Sequence, residues 1–169
     1  MAAALLAMHT RRAGVDAVIA SAGTHSHDLP VDAEAVSVMA ELGLDIASHV
    51  PRRLDQSIVD SEGADLIITM TRDHLRVVAT VAPGALRRAF TLRELVRRLA
   101  MSVGMPSLAT LNEGRTARDL LGEDFADDVD DPYGKGLQQH RECLVELDSA
   151  MRAIAADLRL LQSDVPHES

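Results

Sequence analysis

The sequence predicts an α/β domain of three layers, αβα, built on a small parallel sheet. Short apolar runs alternate with helical patterns along the chain, which is typical of parallel strands connected by helices. The length of 169 residues suits one domain with a substantial core. We expect this domain to occupy residues 1–162 and the segment 163–169 to be a disordered tail.

The first part of the chain shows a helix, a strand and a second helix. Residues 2–13 are rich in Ala and Leu and end at Gly14, a favoured residue after a helix end, although no capping side chain precedes them. The run "VDAVIASAG", residues 15–23, has the composition of a buried strand. Asp32 is placed to cap a second helix, which we expect to end at Gly43.

The rest of the chain contains two further strand and helix units and a long final helix. The run "ADLIITM", residues 64–70, predicts a strand, and Thr71 is placed to cap the helix after it. The run "RRAFTL", residues 87–92, predicts a weaker strand before a helix, and the polar region after that helix leaves room for one short helix. Apolar residues three and four apart predict a helix over 137–161, whose stripe favours covering a sheet over forming a coiled coil. The stripe consists of Leu144, Leu147, Met151, Ile154, Leu158 and Leu161.

Composition and charge restrict the class of protein. A net charge of −9 disfavours nucleic acid or an anionic membrane as the main partner, since both attract basic surfaces. No apolar run approaches the roughly 18 residues that a membrane helix needs, and the N-terminus lacks the pattern of a signal peptide. We therefore expect a soluble, cytoplasmic protein. Cys143 is the only cysteine, so neither a disulfide framework nor a paired-cysteine metal site is available.

Two patterns suggest cation sites but fit them poorly. The acidic run "EDFADDVDD" fails as an EF-hand, because a loop that starts at Asp128 places Pro132 and Tyr133 where a ligand and the required glycine belong. His25 and His27 have no matching cluster of carboxylates or cysteines. We expect no metal and no cofactor.

Four separated stretches, "SAGTHS", "ELGLDIASHVPRRL", "ADLIITMTRDHL" and "VDDPYG", resemble the low molecular weight protein tyrosine phosphatases in their order and spacing. The resemblance covers about residues 1–155, and its most specific part is the Asp-Pro-Tyr-Gly sequence. It implies a protein phosphatase that hydrolyses phosphotyrosine proteins or small aryl phosphates through a cysteinyl-phosphate intermediate. Lys135 is the sole lysine, and such a bias toward Arg is associated with a GC-rich bacterial genome. The oligomeric state is not predicted.

The same resemblance implies that a segment belongs ahead of Met1. Members of the family open with a strand and a phosphate loop of the form V-C-x-G-N-x-C-R-S-P, followed by a helix that "MAAALL" resembles. That first strand would lie between residues 15–23 and 64–70. The printed sequence holds neither the nucleophilic Cys nor the phosphate-binding Arg of this loop. Cys143 has no C-x5-R context, and we expect it to be an inert, partly buried thiol.

By resemblance, four residues of the printed chain belong to the site. Asp131 corresponds to the acid that protonates the leaving phenolate oxygen and then deprotonates the attacking water, and Pro132 holds it in an extended conformation. Asp130 is the second candidate. Tyr133 is expected to line the mouth of the site and stack on a phosphotyrosine ring. Ser21 and His49 correspond to residues that support the phosphate loop, although a purely structural role is an equal alternative for each.

Three interpretations of the printed chain remain open at this stage. A start codon assigned too far downstream explains why the supporting residues are retained, and we favour it. The others are a catalytically inactive relative that binds a partner and, less favoured, an arsenate reductase, which relays oxidation through additional cysteines.

Overall fold

A computed structural model of the chain describes residues 1–24, 30–61, 63–102, 104–116, 119–120, 122 and 125–163. Its α-helices and strands are α1 (Ala2–Ala13), α2 (Ala33–Ala40), α3 (Gln56–Ser61), β1 (Ile67–Thr69), α4 (Arg72–Val81), β2 (Ala89–Thr91), α5 (Leu92–Met101), α6 (Leu108–Asn112) and α7 (Leu137–Ser163). Short 3-10 helices span Pro83–Arg88 and Phe125–Asp127. The predicted tail at 164–169 lies outside the described residues.

The chain divides into two compact units. The first, unit 1, consists of Met1–Ser21, His27–Arg52 and Asp130–Ser169, and the second, unit 2, consists of Ala22–Ser26 and Arg53–Val129. Unit 1 therefore contains α1, α2 and α7, whereas unit 2 contains both strands and the helices between α2 and α7.

Unit 1 is built from helices packed on the apolar stripe of α7. α7 packs against α1 and α2, and the stripe side chains of Leu144, Leu147, Met151 and Ile154 are buried. The predicted C-terminal helix is thus confirmed, but within unit 1 it packs on helices and not on the sheet that its stripe is expected to cover. The first helix also ends as predicted, because Gly14 adopts a left-handed conformation with φ of 70° and its amide donates to the Arg11 carbonyl.

Unit 2 is built around a parallel pair of strands. β1 and β2 pair in register, Ile67 with Ala89 and Thr69 with Thr91. Both predicted strands are confirmed, although each is only three residues long. Phe90 on β2 is fully buried, as are Leu75 on α4 and Leu95 on α5. Helices around a parallel pair of strands confirm the predicted α/β class.

Side-chain caps explain where the helices begin. The carboxylate of Asp32 accepts the Glu34 amide at 3.1 Å, and the hydroxyl of Thr71 accepts the His74 amide at 3.2 Å. Both caps agree with the sequence prediction. Each satisfies a backbone donor that the first turn of a helix leaves without an intrahelical partner.

The predicted strand over residues 15–23 is wrong. In this described segment the backbone forms no strand, Val18 is 98% exposed, and only Gly23 makes an isolated bridge, to Arg53. Val15 follows the end of α1, and its amide donates to the Thr10 carbonyl of that helix. An apolar run becomes a strand only when a neighbouring strand satisfies its backbone groups. Among the described residues no strand pairs with this segment, so its composition alone does not fix its structure.

Within the described part of the chain, no helix has the length and apolar character required to cross a membrane.

Candidate functional site

The Asp-Pro-Tyr-Gly sequence forms a tight loop ahead of α7, which we call the 131–136 loop. The Tyr133 amide donates to Oδ1 of Asp131 at 3.0 Å, and the Lys135 amide donates to the Pro132 carbonyl at 3.0 Å. Gly134, with φ of 70°, has a left-handed backbone that other residues adopt at a cost. The loop therefore holds Asp131 in one orientation while leaving its carboxylate exposed.

Tyr133 lies on the same loop and is 64% exposed. Its ring is therefore accessible, and its place at the mouth of the site, which the family resemblance implies, stays a prediction. Its stacking on a phosphotyrosine ring stays a prediction.

The loop is connected to α7 and α2 through a buried histidine. Nδ1 of His140 donates to the Gly136 carbonyl at 2.9 Å, and its Nε2 lies 3.4 Å from Oδ2 of Asp32. Hydrogen bonding with Glu34, followed by the charge of His140 and the amide of Gly134, holds the pKa of the Asp32 carboxyl below its ordinary value. One carboxylate thus caps α2 and lies beside His140, which is bonded to the end of the loop.

A cavity of about 220 Å³ lies beside the loop in unit 1. Its lining combines Asp130, Asp131, Pro132, Lys135, Gln139, Glu142, Cys143 and Glu146. Carboxylates outnumber the single cation of this lining, so the cavity repels a phosphate dianion in the printed chain. A phosphate site would require additional donors, such as loop amides and an Arg.

Cys143 lines this cavity and is half-buried, as the sequence predicts. Burial raises the pKa of the Cys143 thiol, and the carboxylates of Glu146 and Asp131 raise it further. The thiolate is the nucleophilic form of cysteine, so a raised pKa lowers the reactivity that phosphoryl transfer requires.

Ser21 and His49 also lie in unit 1. The Ser21 carbonyl accepts Nε and Nη2 of Arg52 at 3.3 and 3.1 Å, which ties the end of the 15–21 segment to the chain before α3. His49 is exposed, and its amide donates to the Ile46 carbonyl. The predicted support of a phosphate loop by these two side chains stays a prediction.

The described residues contain no group of three or more His, Cys, Asp or Glu side chains arranged to hold a metal ion. His25 and His27, which the sequence analysis considered as ligands, lie outside the described residues.

Two features of this site were missed in the sequence. Asp32 is recognisable as a helix cap, but its proximity to His140 joins positions far apart in the chain, and no local pattern indicates it. The position of Cys143 in the same cavity as Asp131 is predictable from the sequence. The helix α7 begins just after the 131–136 loop, so its first turns, which include Cys143, lie next to that loop.

Comparison with known proteins supports the resemblance. The family described as "Low molecular weight phosphotyrosine protein phosphatase" matches residues 1–114. A curated relative, the probable low molecular weight protein-tyrosine-phosphatase EpsP of Ralstonia solanacearum, is 29% identical over 148 residues, which cover 88% of this chain and 80% of EpsP.

Solved structures of the same kind share the fold. The low molecular weight protein tyrosine phosphatase of T. tengcongensis is 26% identical with a TM-score of 0.67, over 90% of this chain and 86% of that one. A YwlE mutant from Bacillus subtilis is 25% identical with a TM-score of 0.69, over 93% and 87%. The YwlE arginine phosphatase from Geobacillus stearothermophilus, at 24% identity and a TM-score of 0.71 over 99% and 89%, supports the fold alone. With a family match over residues 1–114, the chain belongs to the low molecular weight phosphotyrosine protein phosphatase family, a family of hydrolases.

Proposed function

We propose that the active form of this protein hydrolyses aryl phosphate monoesters, including phosphotyrosine in proteins, and that Asp131 is its general acid and base. The observation that carries the proposal is the 131–136 loop, which presents an exposed carboxylate oriented by the Tyr133 amide within a chain of this phosphatase family. A general acid must reach the leaving oxygen, and an ordered loop with an exposed carboxylate meets that requirement.

The proposed reaction has two steps. A cysteine thiolate attacks phosphorus and the bond between phosphorus and the aryl oxygen breaks, while Asp131 gives its proton to that oxygen. Asp131, now a carboxylate, then takes a proton from water, which attacks phosphorus and releases inorganic phosphate and the thiolate. The printed sequence supplies Asp131 but no Cys-x5-Arg, so the family resemblance assigns the thiolate and the phosphate-binding Arg to a preceding loop.

Two features of the printed chain argue that Cys143 does not replace this nucleophile. Its thiol pKa is raised by burial and by neighbouring carboxylates, and the cavity beside it is acidic. The same features disfavour an arsenate reductase, which needs an accessible relay of cysteines. The printed 169 residues are therefore expected to give no Cys-dependent hydrolysis of para-nitrophenyl phosphate.

The test compares the printed chain with a loop-extended form, in which a strand and a Cys-x5-Arg-Ser-Pro loop precede Met1. In that form Asp131→Asn should slow turnover of phenyl phosphate by about 10²–10⁴-fold, the range for loss of a general acid. The defect should be smaller for para-nitrophenyl phosphate, whose leaving group needs little protonation.

The matched control is Asp130→Asn, which changes the neighbouring carboxylate of the same cavity. A larger defect from Asp130→Asn than from Asp131→Asn would assign the acid to Asp130. A loop-extended form that binds phosphotyrosine peptides without hydrolysing them would favour the inactive binding protein. The similar solved structures include YwlE arginine phosphatases, so phosphoarginine is the substrate against which selectivity should be measured.

A further inference from the structure

The 131–136 loop has a defined attachment to the body of unit 1. At its end, the Gly136 carbonyl accepts Nδ1 of His140 at 2.9 Å, and Gly136 itself has φ of 87°. A carbonyl cannot donate, so the proton of this hydrogen bond belongs to Nδ1. His140 is only 1% exposed, and water competes poorly for a hydrogen bond at such a position.

The other side of the same ring faces α2. Nε2 of His140 lies 3.4 Å from Oδ2 of Asp32, whose side chain is 16% exposed. The other carboxylate oxygen, Oδ1, caps α2 by accepting the Glu34 amide. The end of the loop at Gly136 is thus connected, through the buried ring of His140, to the carboxylate of Asp32.

We propose that Asp32 and His140 are positioning residues that fix the 131–136 loop and thereby the direction in which Asp131 presents its carboxylate. The inference rests on the proposed role of Asp131 as the general acid. Neither residue touches the reacting atoms in this proposal. Each acts through the backbone of the loop, which is attached at Gly136 and whose Tyr133 amide orients Asp131.

The proposal predicts a specific kinetic defect. A mobile loop leaves phosphate binding by the Cys-x5-Arg loop intact but misplaces the proton donor, and proton transfer depends on donor geometry. Loss of either residue should therefore lower kcat for poor leaving groups and leave KM unchanged. The defect should also disappear in an enzyme that already carries Asp131→Asn, because there is then no proton donor to position.

The first measurement uses the printed chain and needs no activity. Amide hydrogen exchange by NMR should show faster exchange in Asp32→Ala at Tyr133 and Lys135, whose amides are bonded within the loop, by about tenfold, the effect of losing one ordinary hydrogen bond. Asp32→Asn keeps an acceptor oxygen and should retain most of the protection. The matched control is Asp45→Ala, because Asp45 also accepts an amide two residues on, that of Ala47 at 2.9 Å, and belongs to a different turn.

Two substitutions at His140 test its hydrogen bond to the Gly136 carbonyl. His140→Asn retains a donor near the position of Nδ1 and should preserve protection, whereas His140→Phe fills the site without donating and should lose it. If Asp32→Ala unfolds the chain, the Asn and Phe variants at His140 still decide the question. Unchanged exchange at Tyr133 and Lys135 in His140→Phe would overturn the inference.

The second measurement uses the loop-extended form. Asp32→Ala should lower kcat on phenyl phosphate by about tenfold, with a smaller effect on para-nitrophenyl phosphate and no further effect in the presence of Asp131→Asn. If the fold-losses in kcat caused by Asp32→Ala and by Asp131→Asn multiplied in the double variant, the positioning role would be overturned. Absence of any leaving-group dependence in Asp131→Asn alone would instead overturn the role of Asp131, and the exchange data would report on the loop attachment independently.

Discussion

Nη2 of Arg72 donates to Oδ2 of Asp127 at 2.8 Å, and the two side chains are only 3% and 9% exposed. Arg97 donates to the same oxygen from α5, at 3.0 Å. The hydrogen bond from Arg97, together with the charges of Arg97 and Arg72, holds the pKa of the Asp127 carboxyl below its ordinary value. Asp127 thus joins the start of α4, through Arg72, to the middle of α5, through Arg97.

Asp127→Asn should destabilise unit 2 at neutral pH by about 3–5 kcal/mol, the range for removing one partner of a buried ion pair. A carboxyl with a lowered folded pKa stabilises the protein above its unfolded pKa of about 3.9 and loses this contribution as the pH falls through its folded pKa. The substituted side chain does not titrate. Urea unfolding should therefore show a large difference in the free energy of unfolding between the unsubstituted protein and Asp127→Asn at neutral pH. This difference should shrink below about pH 4.

Asp73→Asn is the control for this experiment. Asp73 pairs with Arg76 on the exposed surface of α4, where its side chain is 74% exposed, and such pairs contribute little. Its substitution should change the free energy of unfolding by less than about 1 kcal/mol. If Asp127→Asn and Asp73→Asn lowered the free energy of unfolding equally, the ion pair between Asp127 and Arg72 would have to be exposed to water in solution.

The thiol of Cys143 should react slowly while the protein is folded. Burial is the main cause of its raised pKa, and Glu146 adds the largest contribution of any charge. Alkylation by iodoacetamide, followed by intact mass, should be slower than for free cysteine at pH 8 and should rise toward the free rate in urea. Glu146→Gln should speed the folded reaction. A folded rate equal to the unfolded rate would contradict the buried placement of the thiol.

Local signals in the sequence predicted much of this fold. Thr71 and Asp32 were identified as caps because a capping side chain bonds an amide two or three residues on, so the relevant residues are adjacent in the sequence. The strand at Ile67–Thr69 and the helix at Leu137–Ser163 were predicted from composition and periodicity, which are also local. The Asp-Pro-Tyr-Gly sequence predicts a site loop at Asp131, but only through its resemblance to a family.

Contacts between distant positions could not be predicted in this way. Arg115 lies in a region that the sequence shows only as polar, yet its Nε is 2.9 Å from Oε1 of Glu94 and its guanidinium lies 4.0 Å from the Phe90 ring centroid. The contact between Asp32 and His140 is of the same kind. Each depends on how separate elements pack, and no spacing rule links the residues concerned.

At residues 15–23, a described segment that follows α1, the composition of the sequence predicts a buried strand but the structure shows none. As a buried strand it would place Val18 in the core, but the structure leaves this side chain 98% exposed. Substitutions at exposed positions usually change stability by less than about 0.5 kcal/mol. Val18→Ser should therefore leave the midpoint of urea unfolding almost unchanged in the printed chain.

Val38→Ser is the matched control, because Val38 lies on α2 of the same unit and is 0% exposed. Losing a fully buried valine side chain should cost about 2 kcal/mol. In the loop-extended form the resemblance places an added strand beside residues 15–23, which gives their backbone groups a partner and encloses the side chains. There Val18→Ser should become nearly as costly as Val38→Ser. A large cost of Val18→Ser in the printed chain itself would show that the segment is already packed as the strand that its composition predicts.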